Sequence, residues 1–342
     1  MTLLDEIVAE IDRTGPIPFS RYMELALYHP TLGFYATGGA GRRRDFITSP
    51  EVGPLFGAVV ARAIDHWWDE LGQPDRFTFV EAGAGPGTLA RTVLRSPLRC
   101  RDALDYVTVE SSEVQRAQHP EGVTSLPAMP ETVGVGIVFA NELLDNLPFD
   151  VLSFVADRGW REVRVGRGAD RLDEVLVETD RGEPLLGGST TGDLRVPIQA
   201  DAADWVTSAR RTLGRGRVVV IDYAVPGFPV EREREWLRTY NDHGQAGDPL
   251  DRPGTKDITA DVDISQLSAA APTDVERSQA IWLRRMGIDD LVAEGREYWE
   301  QHRAAPDLTA FEMQSRTTES AALLDPTGLG AFTVLEWVVD ES

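Results

Sequence analysis

The stretch FVEAGAGPGTLAR, residues 79–91, is an apolar run that breaks into glycines at 83, 85 and 87 and then reads as a helix. Glycine permits positive φ and lets the main chain approach a ligand with no Cβ in the way. The helix that follows adds unsatisfied N–H donors at its N-terminus. A dinucleotide fingerprint needs G-x-G-x-x-G, and its last glycine position is Thr88 here. A phosphate-binding P-loop needs a following G-K-S/T, and none is present. The spacing is G-x-G-x-G, preceded by Glu81. Taken alone, such a turn suits an ordinary strand-to-helix connection as well as a cofactor site, so its surroundings decide.

Around the turn the pattern alternates. FTFVEA (77–82), DYVTVE (105–110), GIVFA (136–140) and RVVVIDYA (217–224) read as strands. Helical segments stand between them, the last over about 201–213 with Gly214 as its stop. This predicts an α/β fold, a doubly wound, mostly parallel sheet with helices on both faces. In such sheets ligands lie beyond the carboxyl ends of the strands, which is where residues 83–87 fall. Upstream, Leu3, Leu4, Ile7, Val8 and Ile11 recur at helical spacing, with Thr2 as N-cap and Gly15 past the end. Ser20 is expected to cap a second short helix ending at Leu27, and Pro54 to begin a long helix stopped by Gly72. FDVLSFVADRGWREVRVG (149–166) reads as a β-hairpin insertion, residues from about 231 to 325 as mostly helical, and FTVLEWVVD (332–340) as a closing strand.

Composition bounds the function. With 342 residues and 42% hydrophobic content the chain buries a substantial core. Cys100 is the single cysteine, which excludes an internal disulfide and a Cys-rich metal motif. The five histidines, His29, His66, His119, His243 and His302, show no ligand spacing, so no metal is expected. No stretch approaches the roughly 18 consecutive apolar residues of a membrane span, so no membrane insertion is expected. A net charge of -22 repels nucleic-acid backbones and suits a basic protein partner. The N-terminus MTLLDEIVAEIDRTG is acidic, unlike the basic presequences of exported or imported proteins, and a cytoplasmic location is expected.

Two acids refine the cofactor. Glu81 ends the first strand before the turn and Glu110 ends the second. Glycines in this spacing after an acid resemble motif I of class I S-adenosyl-L-methionine-dependent methyltransferases. There the turn meets the methionine half of the cofactor, the motif acid its ammonium, and the acid ending the second strand its ribose. A carboxylate accepts from both hydroxyls of a diol, the physical reason for an acid at Glu110.

DFITSPEVGPLFG (45–57), VEAGAGPGTLA (80–90), ANELLDNLP (140–148), WREV (160–163) and PGTKDITADVDISQL (253–267) narrow the match further. Together, in order and spacing from about residue 15 to 288, they resemble the MidA family, that of the mitochondrial complex I assembly factor 7 and its bacterial relatives. The resemblance implies a class I (Rossmann-like) methyltransferase with an N-terminal helical extension and a β-hairpin and helical insertion on the substrate side. It implies a division into an extension and cofactor-covering loop at 1–53 and a core at 54–342, with insertions at about 149–199 and 231–325. It carries Gly83, Gly85 and Gly87 onto the cofactor turn, Glu110 with Ser111 onto the ribose acid, and Thr48, Ser49, Pro50 and Glu51 onto the covering segment. Asn141, Glu142 and Asp145 fall beside the transferred methyl. The chain departs from the family at Arg44, at Ala82 and Ala84, and at Ala224.

The family's mitochondrial member dimethylates an arginine of a complex I subunit, so the resemblance implies a protein arginine as acceptor. A guanidinium, with a pKa above about 12, is a poor nucleophile until charge is drawn to one side and a proton leaves. Carboxylates do this by bidentate hydrogen bonds, which makes Glu142, Asp145 and Glu51 the catalytic candidates. Each has a plainer reading: Asn141 and Glu142 as helix caps, Glu51 as a solvated or capping acid, and the Asp257–Asp263 run as a helix start rather than a hold on basic substrate. Methylation of a small molecule, or a partner-binding assembly role without catalysis, remain the alternatives.

Overall fold

The computed structural model describes residues 2–36, 48–156, 158–181, 194–228, 236–241 and 244–340. It falls into two units, each assembled from separated stretches of chain. Ile47–Leu143, Val206–Tyr223 and Pro272–Ser342 form one, and Met1–Phe46, Leu144–Trp205 and Ala224–Ala271 the other.

The unit that holds the glycine turn is built on a seven-stranded sheet. Its strands are β1 (Phe77–Ala82), β2 (Leu104–Val109), β3 (Thr124–Leu126), β4 (Val133–Asn141), β5 (Leu213–Asp222), β6 (Val275–Ser278) and β7 (Thr333–Val339). They lie in the order β6-β7-β5-β4-β1-β2-β3. Strands β1 to β5 run parallel, whereas β7 enters antiparallel to both β5 and β6. Parallel strands covered on both faces read as continuous apolar runs, and Phe77, Phe79, Val80, Val138, Phe139, Val219 and Val220 are all fully buried. Phe79 packs between Tyr106 and Phe139, with ring centroids 5.1 and 5.7 Å away. Each aromatic side chain withdrawn in this way contributes about 1.5–3 kcal/mol.

The long helix is Pro54–Glu70, with Pro54 at its first turn as expected. Its N-terminal donor is satisfied from a distance: the Leu55 N–H donates to Glu319 Oε2 at 2.8 Å. Glu319 lies on the helix Leu308–Leu323 and is buried. Gly53 leaves room for that carboxyl, since a Cβ there would stand 2.3 Å from it.

In the other unit the helix Leu3–Thr14 has its expected cap, with Thr2 and Asp5 closing a reciprocal capping box. The second helix, Phe19–Tyr28, starts differently from expectation. Pro18 is its N-cap, because the Ser20 hydroxyl donates instead to Asp150 Oδ1 at 2.6 Å. The hairpin of Asp150–Val155 and Gly159–Arg167 is present, with Val151 opposite Val163. It belongs to a five-stranded sheet with Ile17–Pro18, Leu172–Glu178 and Leu194–Ile198. Phe19, Tyr22, Phe149, Val163 and Ile258 lie in this unit's core.

The expected helical content of residues 231–325 needs correction. Leu237–Asn241, Gly244–Gln245 and Asp257–Ala260 pair as an antiparallel sheet. Buried Thr239, Ile258 and Thr259 are β-branched side chains that suit a pleated surface. Among the described residues, helices occupy that range only from Ile264 onward. The units also cut the chain elsewhere than at residue 53: residues 1–46 group with 144–205 and 224–271, while 272–325 group with the seven-stranded sheet. Among the described residues no helix is long and apolar enough to cross a membrane.

Candidate functional site

Gly83, Gly85 and Gly87 follow β1 with φ of 69°, 53° and 77°. All three lie in the left-handed region that L side chains avoid. Strand register brings this turn beside the ends of its neighbours, with Ala82 paired to Val109 of β2 and to Ala140 of β4. The Gly85 N–H donates to Glu110 Oε2 at 3.0 Å, and the Ser112 N–H donates to Glu110 Oε1 at 2.8 Å. Glu110 is thus fixed against the turn, and burial raises its pKa despite those two amides. Ser111 is exposed beside it. His119 holds the turn from behind: its Nε2 donates to the Gly85 carbonyl at 2.8 Å, while Nδ1 meets the Thr108 and Ser125 hydroxyls at 2.9 and 2.8 Å. Glu81 is buried and accepts from the Tyr106 hydroxyl at 2.6 Å.

At the end of β4, Glu142 has φ of 54°, rare for a residue with a side chain. Such a conformation costs on the order of 1–3 kcal/mol and clusters at functional sites. Its N–H donates to the Ile221 carbonyl of β5 at 2.8 Å. Its carboxylate accepts from Asn141 Nδ2 at 2.8 Å, from the Ser49 N–H at 3.3 Å and from the Tyr223 hydroxyl at 3.3 Å. The Ser49 hydroxyl turns inward to Gln279 at 3.1 Å. Ser49 therefore offers the site its backbone rather than its side chain. Thr48 is the N-cap of the short helix Ser49–Val52, with Pro50 and Glu51 in its first turn.

Over residues 59–280 the sequence matches the family model of an S-adenosyl-L-methionine-dependent methyltransferase. The chain belongs to this methyltransferase family. The methyltransferase is 30% identical over 332 residues to protein arginine methyltransferase NDUFAF7 of Bos taurus, a match that covers 84% of this chain and 74% of the relative. It is 29% identical over 315 residues to the Drosophila melanogaster homologue, covering 80% and 70%. A protein from Burkholderia thailandensis, solved bound to S-adenosyl-homocysteine, matches its fold with a TM-score of 0.82 at 30% identity, over 98% of this chain and 91% of that one. The methyltransferase is therefore of class I, related to bacterial MidA and mitochondrial NDUFAF7, and its cofactor is S-adenosyl-L-methionine. The curated relatives are mitochondrial proteins, which overturns the cytoplasmic location expected from the acidic N-terminus. That acidity has a local cause, since Asp5 and Glu6 occupy the first turn of a helix, where its dipole favours negative charge.

The residues of the methyltransferase fit this cofactor. Among the described residues a Cβ built on Gly85 meets one atom within 4 Å, Gln115 Oε1 at 3.3 Å, the end of a flexible side chain with no backbone in the way. Asn141 Oδ1 and Gln279 Nε2, near the strand ends, have no hydrogen-bond partner among the described residues. Among the described residues no group of three His, Cys, Asp or Glu stands where it would hold a metal.

Asp145 is placed differently from Glu142. It lies in the unit that contains Thr259, is buried, and accepts from the Thr259 hydroxyl at 2.5 Å. Burial holds its carboxyl well above the usual carboxylate range. The plainer reading of Asn141 and Glu142 also fails, because a single 3-10 turn, Leu144–Asn146, follows them rather than an α-helix. In the Asp257–Asp263 run, Asp257–Ala260 is strand and Asp263 caps the helix Ile264–Ala270. Arg44 to Ile47 and His243 lie outside the described residues. His119, Tyr106, Tyr223 and Gln279 carry no sequence signal of their own and are recognised only by what they touch.

Burial pushes the Glu81 carboxyl up to about 8 from an ordinary 4.5, the Tyr106 hydrogen bond opposing it. The folded protein keeps this proton where an unfolded chain has lost it. Its stabilisation is full below about pH 4.5 and is lost as pH rises through about 8. Glu81→Gln, neutral and still able to accept from Tyr106, is expected to flatten the fall in stability across that window, read by urea denaturation at stepped pH. A slope unchanged from wild type would mean that Glu81 is already ionised in the fold.

Proposed function

We propose that this methyltransferase transfers methyl groups to an arginine side chain of a protein partner, a subunit of a respiratory complex I-type enzyme being the class of acceptor its family resemblance suggests. The observation that carries the reading is the Glu142 carboxylate, held in one pose at the end of β4, next to the glycine turn, by a strained backbone and three donors. Bound S-adenosyl-L-methionine supplies a methyl group on a positively charged sulfur, an electrophile that needs little further activation. The protein's task is then mainly orientation, which is worth several kcal/mol, up to about 7–11 in well-aligned systems.

Glu110 accepts the ribose hydroxyls, and the cofactor's ammonium beside Glu81 favours release of the proton that burial otherwise holds there. Thr48, Ser49 and Pro50 cover the cofactor, while Gly83 to Gly87 give its chain close access. Glu142 accepts guanidinium N–H groups, fixes their plane and draws the cation to its own side. The nitrogen remote from the carboxylate regains nucleophilic character, and the proton it gives up is taken by an anionic side chain. Glu51, whose side chain makes no hydrogen bond or ion pair among the described residues, stands as the second acid for the acceptor. Arginine as acceptor is also supported by the names of the Bos taurus and Drosophila melanogaster relatives, and the net charge of -22 favours approach of a basic segment.

Incubation with methyl-labelled cofactor and lysate of the source organism, followed by mass spectrometry, tests the acceptor. Label on arginine of a protein is the expected result. Label confined to small molecules would replace this reading with small-molecule methylation, and no transfer despite cofactor binding would favour an assembly role.

A further inference from the structure

Every side of Gly85 is engaged. Its N–H is on Glu110 and its carbonyl on His119, and over its Cα stands the amide of Gln115, Oε1 being 3.3 Å from where a Cβ would lie. Gln115 belongs to the short turn of helix Glu113–Arg116 that follows Glu110. The residue is 2% exposed, and among the described residues neither its Oε1 nor its Nε2 has a hydrogen-bond partner. A primary amide buried with both ends unpaired is among the costlier arrangements in a protein interior. A hydrophobic side chain of that length would pack there without penalty.

We propose that Gln115 is a recognition residue for the nucleoside half of the cofactor, completing its hydrogen bonds only when S-adenosyl-L-methionine is bound. The inference rests on the cofactor lying over the glycine turn. A neutral amide presents one donor face and one acceptor face side by side. The methionine half of the cofactor offers a donor and an acceptor as well, but Gln115 stands over Gly85, whose N–H is held by Glu110, the acid assigned to the ribose. The nucleoside carries the complement on that side. Adenine presents an amine beside a ring nitrogen, the pair that glutamine reads in duplex DNA. A ribose hydroxyl that donates to Glu110 still has an oxygen able to accept from Nε2.

Binding of S-adenosyl-homocysteine, followed by calorimetry, together with the melting temperature of the free protein, tests the assignment. Gln115→Met keeps the length of the side chain and removes both polar ends. It is expected to weaken binding by about tenfold to a hundredfold while the free protein melts at the same temperature or higher. Unchanged affinity with a raised melting temperature would overturn the proposal and leave Gln115 an unsatisfied interior amide. Should Gln115→Met melt much lower, Gln115→Leu, likewise without polar ends, supplies the second reading; affinity equal to wild type in that variant would also overturn it. Analogues locate the contact. A smaller loss on Gln115→Met with the N6,N6-dimethyladenine analogue assigns the contact to the base, and a smaller loss with the 2′-deoxy analogue assigns it to the ribose; equal losses with both would overturn a nucleoside contact. Gly85→Val serves as the separate check on the position of the cofactor. If it binds normally, the cofactor lies elsewhere; if it fails to bind while Gln115→Met binds as wild type, only the role of Gln115 falls.

Discussion

Gly85→Val is expected to lower the affinity for S-adenosyl-L-methionine more than about a hundredfold while the fold persists. Among the described residues only the Gln115 amide oxygen, at 3.3 Å, comes near an added Cβ, so a side chain fits the free protein once that flexible amide end gives way, and it then fills the space a ligand over the turn would take. Its φ of 53° adds backbone strain, on the order of 1–3 kcal/mol for a side chain in that region. The matching control is Gly72→Val, with φ of 81° and no atom within 4 Å of an added Cβ. It follows the helix Pro54–Glu70 rather than the turn after β1. Both variants should melt lower by similar amounts, and only Gly85→Val should lose cofactor in calorimetry. Equal affinity in the two would move the cofactor away from the turn. Gly87 is a poorer test, since a Cβ there meets Pro120 at 3.0 Å and His119 at 3.2 Å and disturbs packing directly.

Glu142→Gln is expected to cut turnover by about 10²- to 10³-fold with the cofactor affinity within about threefold of wild type. The amide keeps the shape of the carboxylate and an oxygen for the Asn141 and Ser49 donors, and the Tyr223 hydroxyl reverses its role to accept from the new N–H. What disappears is the negative charge that localises a guanidinium cation and eases loss of its proton. Single-turnover kinetics with saturating cofactor separates this from a binding defect. A turnover number near that of wild type would remove Glu142 from the chemistry and reduce it to a strand-end support.

The sheet was legible because its strands announce themselves locally. FTFVEA and RVVVIDYA are apolar on both faces, and the turn at 83–87 combines glycines with strand ends in a way that few other arrangements explain. Helix boundaries followed the same local rules at Thr2 and Pro54, and failed at Ser20, where a partner 130 residues away outbids the cap position. The strands between 237 and 260 escaped notice because they are two to five residues long and find their partners across gaps, Leu237 against Ala260. No periodicity accumulates over so short a run. Grouping residues 1–46 with 144–205 and 224–271 depends entirely on tertiary contact.

For the candidate site, the residues proposed to face a ligand through backbone or charge had a sequence signal: the glycines through their spacing at a strand end, Glu110 because it ends the neighbouring strand. Those that act through neighbours were not. Gln115 and His119 are ordinary letters in SSEVQRAQHP, and nothing in their spacing distinguishes an amide over Gly85 or an imidazole under its carbonyl. Asp145 shows the opposite failure, an acid in a motif whose side chain the fold draws into its interior.

The position of β7 bears on how the chain is made. The last strand of the sequence enters between β5 and β6, and β6 has no other neighbour in the sheet. While the protein emerges from the ribosome, β5 is exposed as a naked apolar edge and residues 275–278 wait unpaired until residues 333–339 follow. Edges of that kind template aggregation. A chain that lacks residues 333–339 would thus keep its glycine turn and leave its sheet open, a target for chaperones and proteases rather than a weakened enzyme.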